Sequence, residues 1–193
     1  MASLDRTLIL ASTSPQRRAI LEQLRIPFTA VAPAYVEHDP PDADPVALVR
    51  AHALGKARSV HRPDRATIGV DTTVHLDGRV YGKPRDVDDA VAMLRELGGR
   101  SHTVLSGLCL IGPAGEIVDH AETLVTFRQL SDRVIREYVG SGEWRGRAGG
   151  YAIQGLGGRL VERIEGDYSN VVGLPAALLL TTLERELPDV LGT

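Results

Sequence analysis

A chain of 193 residues, 43% hydrophobic and 24% charged, is long enough to bury a sizeable core. Its formal net charge of −3 argues against a general nucleic-acid binder, so any anionic ligand must be held by a local cluster of cations. The single cysteine, Cys109, excludes an intramolecular disulfide and a cysteine-based zinc site; it lies in an apolar run, where a buried structural thiol is expected.

Met1 to Asp5 lacks the charged-then-apolar layout of a signal peptide, and the longest apolar run, Leu174 to Leu180, is far too short to span a bilayer. A soluble, cytoplasmic protein with no membrane or nucleic-acid polymer as partner is the expectation.

Leu8 to Ala11 reads as a buried strand that ends in Ser12-Thr13-Ser14. Ser14 suits a helix N-cap and Pro15 the first helical position. Such a junction aims free backbone N–H groups and the positive end of a helix at one point, where an anion can sit. The hydroxyls of Ser12, Thr13 and Ser14 add donors, and Arg17 adds a forked cation suited to phosphate. The alternative is a capped helix with solvated arginines. That helix runs to about Leu24, and Pro27 to Ala32 forms a second strand.

The segment Pro33 to Pro45, rich in Pro and Asp, reads as a loop and contains Glu37. Asp44-Pro45 opens a helix that continues to Val60, with Val46, Val49, Ala53 and Ala57 at helical spacing and Lys56 upon it. Ala66 to Val70 is a short apolar strand ending at Asp71-Thr72-Thr73. Thr73 to Tyr81 then forms a hairpin around Asp77-Gly78. An acid directly after a buried strand stands where α/β proteins place ligands, and could hold a divalent metal or activate water; a turn aspartate capping its own backbone is the other reading. Gly82-Lys83-Pro84 presents a lysine on a stiff loop a single hairpin away from Asp71.

Val87 to Leu97 forms a helix closed by Gly98-Gly99. Two long strands follow, Thr103 to Ile111 and Ile117 to Phe127, joined at Pro113-Ala114-Gly115. Ser131 caps a helix to about Val139. Gly140 to Gly158 interrupts all periodicity, and within it the Gln154 carboxamide offers both a donor and an acceptor, as reading a base edge requires. A strand from Arg159 to Ile164, a loop and a helix from Ala176 to Leu187 complete the order.

Gly155, Gly157 and Gly158 make no dinucleotide fingerprint, there is no Walker-type phosphate loop, and the six histidines lack ligand spacing. Strands and helices mix without strict alternation, so the expectation is one α/β domain, 1–193, with a mixed sheet flanked by helices.

Taken in order, several stretches resemble the Maf family of nucleoside triphosphate pyrophosphatases over nearly the whole chain. They are Leu10-Ala11-Ser12-Thr13-Ser14-Pro15-x-Arg17, Lys56-Ala57, Gly69-x-Asp71-Thr72, Gly82-Lys83-Pro84 and Ser106-Gly107. They continue with Phe127-Arg128-x-Leu130-Ser131, Ala148-Gly149-Gly150-Tyr151-Ala152-Ile153-Gln154-Gly155 and Gly166-Asp167-Tyr168-Ser169-Asn170-Val171-Val172-Gly173-Leu174-Pro175.

The resemblance implies hydrolysis of a nucleoside triphosphate to the monophosphate and pyrophosphate with a divalent cation, Mg²⁺ or Mn²⁺. It implies an elongated mixed sheet with two lobes and a central cleft, like that of the inosine-triphosphate pyrophosphatases, and a homodimer. It matches Asp71 to the family's proton acceptor, and Ser14, Arg17, Lys56 and Lys83 to its phosphate-handling positions, with Ser12 in the same loop. Glu37 matches a carboxylate that helps Asp71 hold metal; whether Asp71 acts as base or as ligand stays open. Three positions separate subfamilies, here Gln16, Thr72 and Gln154. Thr72 and Gln154 are similar to the group acting on dTTP and UTP, whereas Gln16 replaces that group's arginine and differs from the large aromatic of the 7-methyl-GTP group. The family's link to arrest of septum formation supplies the alternative, a nucleotide-binding regulator of cell division with incidental hydrolysis.

Overall fold

A computed structural model describes residues 5–40 and 43–191. Among the described residues, seven strands and six α-helices follow one another as β1 (Asp5–Ala11), α1 (Pro15–Gln23), β2 (Phe28–Val31), α2 (Pro45–Val60), β3 (Arg65–Leu76), β4 (Arg79–Tyr81), α3 (Val87–Leu97), β5 (Ser101–Gly112), β6 (Gly115–Phe127), α4 (Asp132–Gly140), β7 (Val161–Glu165), α5 (Tyr168–Val172) and α6 (Ala176–Glu186). The strands form one seven-stranded sheet in the order β2-β1-β3-β5-β6-β7, with β4 paired to β3. β1 is parallel to both β2 and β3, while β3–β4 and β6–β7 are antiparallel, so the sheet is mixed as expected. No helix among the described residues is long and apolar enough to cross a membrane.

Local chemistry sets the helix starts. Ser14, Asp44, Asp86 and Ser131 cap α1, α2, α3 and α4, each side chain accepting a backbone N–H bond from three residues on, and Pro15 and Pro45 occupy the first helical positions. The β3–β4 turn has Asp77 at φ 50° and Gly78 at φ 79°, the paired left-handed conformation that a tight hairpin requires.

The chain packs as two compact units. The first comprises the described residues up to Asp71, Ser106–Ala121, and those from Gly173 onward; the second comprises Thr72–Leu105 and Glu122–Val172. In the first, α2 lies against β1 and against two strand glycines. A Cβ on Gly69 would stand 2.1 Å from Ala53 O, and one on Gly107 would stand 2.1 Å from Val49 O. Ala53 and Ala57 of this helix are buried with Cys109 and Ile111 of β5. In the second unit the core gathers Leu94, Val104, Val125, Phe127, Ile135, Trp144 and Leu160. Each such large side chain contributes about 1.5–3 kcal/mol by leaving water.

Three expectations change. Asp71 does not follow a strand; it lies inside β3, which continues for twelve residues to Leu76. The Thr72-Thr73 pair looked like a polar strand end, but both residues are β-branched and Thr73 is buried, so the pleat carries on. β7 begins at Val161 rather than Arg159, because Leu156–Leu160 coils tightly before it. Between them and α6, the expected loop contains the short helix α5.

Candidate active site

In the first unit the loop from β1 to α1 is tied to itself. Ser14 Oγ accepts from Arg17 N–H at 3.4 Å and donates to Gln16 Oε1 at 3.1 Å. Ser12 Oγ accepts from Ser14 N–H at 3.1 Å and from Arg17 Nη1 at 3.3 Å. Arg17 Nε donates to the Gly173 carbonyl at 2.8 Å, so the guanidinium is held on two sides. Burial lowers the pKa of this guanidinium, opposed by the negative charges of Asp71 and Glu37. Those two acids are therefore the electrostatic partners of Arg17.

The helix α2 supplies Lys56 from its buried stripe. Val49, His52, Ala53, Lys56 and Ala57 recur three or four residues apart, which sets them on one face. Lys56 Nζ lies 2.5 Å from Asp71 Oδ1 and 2.5 Å from Glu37 Oε1. Its side chain is 10% exposed, that of Asp71 14% and that of Glu37 43%. A lysine placed among alanines on a buried face is tolerated because two carboxylates meet it there. Lys56 and Lys83 are the only lysines in the chain, against twenty arginines.

The remaining predicted residues belong to the second unit. Thr72 follows Asp71 on β3 and is half-buried. Lys83 is exposed on the loop after β4, where Gly149 N–H donates to Gly82 O at 3.1 Å and Pro84 packs beside Gly150. Gly149 and Gly150 both have positive φ, which lets the backbone make this approach without strain.

Gln154 is exposed on a loop fixed from beneath. Ala152 N–H donates to Tyr138 Oη at 3.0 Å, and Leu156 N–H donates to Glu143 Oε2 at 2.8 Å. Tyr151, at the start of this loop, is buried with its hydroxyl 2.9 Å from His102 Nε2. Burial pushes the His102 pKa down to about 4 and Tyr138 up to about 12.

Within the first unit, then, the structure brings Ser12, Ser14, Gln16 and Arg17 into one loop, and Glu37, Lys56 and Asp71 into one ion cluster that Arg17 feels. Within the second, it joins the backbone beside Lys83 to the Gly149-Gly150 stretch. Sequence reasoning missed the Gly173 carbonyl as the anchor of Arg17, and Tyr138 and Glu143 as supports of the Gln154 loop. It also missed Tyr35, His52 and Asp39, whose only local signal is a glycine, Gly55, in the middle of α2.

No group of three or more His, Cys, Asp or Glu suited to metal is present among the described residues. Glu37 and Asp71 nonetheless offer hard oxygen donors side by side. That donor set fits a cation such as Mg²⁺, which commonly takes one or two carboxylates and completes its shell with water and substrate phosphates.

A sequence profile described as Maf-like protein matches residues 7–186. The dTTP/UTP pyrophosphatase of Deinococcus radiodurans is 45% identical over 177 residues, covering 91% of this chain and 90% of that protein. That of Symbiobacterium thermophilum is 48% identical over 170 residues, covering 87% and 88%. That of Pyrococcus furiosus is 44% identical over 183 residues, covering 93% and 95%. Among solved structures, the Staphylococcus aureus Ham1 protein aligns with TM-score 0.42 and 12% identity, over 63% of this chain and 71% of that one.

Proposed function

The chain belongs to the Maf family, and from that premise we propose that it is a nucleoside triphosphate pyrophosphatase, hydrolysing dTTP and UTP to the monophosphate and pyrophosphate. The observation that carries this reading is the Lys56 ammonium shared by Glu37 and Asp71 in a mostly buried position beside Arg17.

The charge balance of that cluster says what it needs. Two cations, Arg17 and Lys56, face two carboxylates and cancel them. A triphosphate adds several negative charges, so its binding calls for further positive charge. Glu37 and Asp71 would hold a divalent cation that supplies it, and such an ion would polarise phosphoryl oxygen and acidify water. Lys83 is the second contributor, presented on a stiff loop as a phosphate contact.

The protein's own groups divide the remaining work. Lys56 fixes one oxygen of Asp71, which orients that carboxylate to take the proton of the attacking water. Arg17, anchored by Gly173 O and Ser12, presents its fork to phosphate, and the hydroxyls of Ser12 and Ser14 line the same loop. Lys56 stabilises charge that develops on the pyrophosphate leaving group, the main contribution in phosphoryl transfer, and Lys83 matches the family's phosphate-handling positions. Thr72 and Gln154 read the base edge, where a polar group left unpaired penalises the wrong base by about 1–3 kcal/mol. Gln16, which accepts from Ser14, takes a supporting role in the loop. The enzyme acts in the cytoplasm as a homodimer.

The test is pyrophosphate release from dTTP, UTP, CTP, GTP and 7-methyl-GTP with Mg²⁺ or Mn²⁺, together with the Asp71→Asn variant. Preferred turnover of dTTP and UTP, lost in Asp71→Asn with the fold intact, is expected. Turnover retained in that variant overturns the role of Asp71. No turnover by a folded protein that still binds nucleotide favours a regulator.

A further inference from the structure

Glu37 comes from an irregular segment, yet its carboxylate meets Lys56 at hydrogen-bond distance. Three side chains that the proposed reaction does not use explain how the segment is held. His52 is buried on α2, one helical turn before Lys56. Its Nδ1 lies 3.0 Å from Tyr35 Oη and its Nε2 lies 2.7 Å from Asp39 Oδ1. Tyr35 and Asp39 bracket Glu37, two residues before it and two after. The Tyr35 ring also rests directly on the helix backbone, since a Cβ on Gly55 would stand 2.2 Å from Tyr35 Cε2.

We infer that Tyr35, His52 and Asp39 form a positioning clamp that seats the 35–39 segment on α2 and so delivers the Glu37 carboxylate to Lys56. One imidazole holds both ends of a five-residue arc, and its centre is thereby confined over the next turn of the helix. Tying both flanks is what fixes an exposed acid at an ion cluster without burying it. The polar partners of His52 are Tyr35 and Asp39, neither of them assigned to the reaction, so it acts through the segment and is a positioning residue. The consequence for turnover rests on the function proposed above; the geometric claim does not.

The experiment uses the full chain and two readouts. A carbodiimide joins a carboxylate to an amine only where the two are in contact. With only two lysines in the sequence, the Lys56 cross-link is isolated readily, and fragmentation of the joined peptides separates Glu37 from Asp39, Asp42, Asp44 and Asp71 as its partner. The variants are Asp39→Ala, Tyr35→Phe and Gly55→Ala, none of them in the catalytic machinery. Gly55→Ala favours the helix by propensity while displacing the Tyr35 ring, so a loss of the cross-link there cannot be assigned to a weakened α2.

Each variant is expected to lower the Glu37–Lys56 cross-link at least fivefold with the thermal midpoint held or raised in Gly55→Ala. Asp39→Asn, which keeps an acceptor for His52, is expected to restore it. In turnover, the Mg²⁺ half-saturation and the nucleotide KM rise about tenfold while kcat changes less than twofold. An unchanged cross-link in all three variants overturns the clamp. A lost cross-link with unchanged Mg²⁺ and nucleotide dependence overturns its positioning role. Wild-type protein without pyrophosphatase activity overturns the proposed function instead, and the cross-link alone then judges the clamp.

Discussion

Gly69 of β3 stands against Ala53 of α2 so closely that a Cβ on the glycine would lie 2.1 Å from the alanine carbonyl oxygen. The ion cluster is a consequence of that approach. Asp71 is two residues beyond Gly69 on the strand, Lys56 is three beyond Ala53 on the helix, and their side chains meet at 2.5 Å. The Gly69→Ala variant must push helix and strand apart, against backbone that cannot yield. It is expected to lose about 1–3 kcal/mol of stability and a larger share of activity than that loss explains. Urea unfolding and pyrophosphate release, measured on the same preparation, separate the two effects.

The Lys56→Met variant leaves Glu37 and Asp71 facing each other with their shared cation gone. Turnover is expected to fall about 100-fold or more, as when one preorganised donor is removed from a reacting centre. Stability is expected to drop by about 1–3 kcal/mol, below the cost of a fully buried pair because Glu37 reaches water. The double variant Lys56→Met, Glu37→Gln recovers part of that stability and none of the activity. Chemical denaturation and a steady-state assay check both statements.

His102 makes stability depend on pH in a definite direction. Burial holds its pKa at about 4 when folded, against 6.5 as the ordinary value, so the native state favours the neutral imidazole. The unfolded chain takes up the proton first as pH falls. Stability present above pH 6.5 is therefore lost between about 6.5 and 4, and no further loss from this group follows below 4. Between pH 7 and 5 the loss is about 2 kcal/mol. The His102→Gln variant, which keeps a partner for the Tyr151 hydroxyl, is expected to flatten that part of the stability curve in urea titrations at the two pH values.

Much of the fold was legible because its signals are local. Ser14-Pro15, Asp44-Pro45 and Ser131 act through side chains on backbone within three residues, Asp77-Gly78 acts through its own backbone angles, and each does what its residue type dictates. The place of Asp71 was misread for the same reason. Polarity at Thr72-Thr73 suggested an end, and only the burial of Thr73 among neighbouring strands shows that the strand continues. The cluster itself was legible as a set of residue types but not as a geometry. Nothing near Glu37 announces that Lys56, nineteen positions away, will meet it. The tie from His52 to Tyr35 and Asp39, 17 and 13 positions away, is no more legible, since none of the three carries a motif. Five residues of α5 are too few to display a helical period.

Cys109 is buried between α2 and the sheet, and burial pushes its thiol pKa up to about 12. The thiolate that alkylating reagents attack is then scarce at neutral pH. The native protein is expected to resist iodoacetamide for hours, and to react with one equivalent within minutes in denaturant. Mass spectrometry of the two samples checks this, and rapid native labelling would overturn it.

The sunken seat of α2, with glycine beneath it on two neighbouring strands, bears on the timing of a cost. A lysine side chain has four rotatable bonds, and freezing them opposes whatever process does the freezing. Here the freezing accompanies folding itself, because Lys56 is already locked between two acids before any nucleotide arrives. The arriving phosphate meets an ammonium whose disorder has already been surrendered, so that part of the ordering cost is not charged to binding.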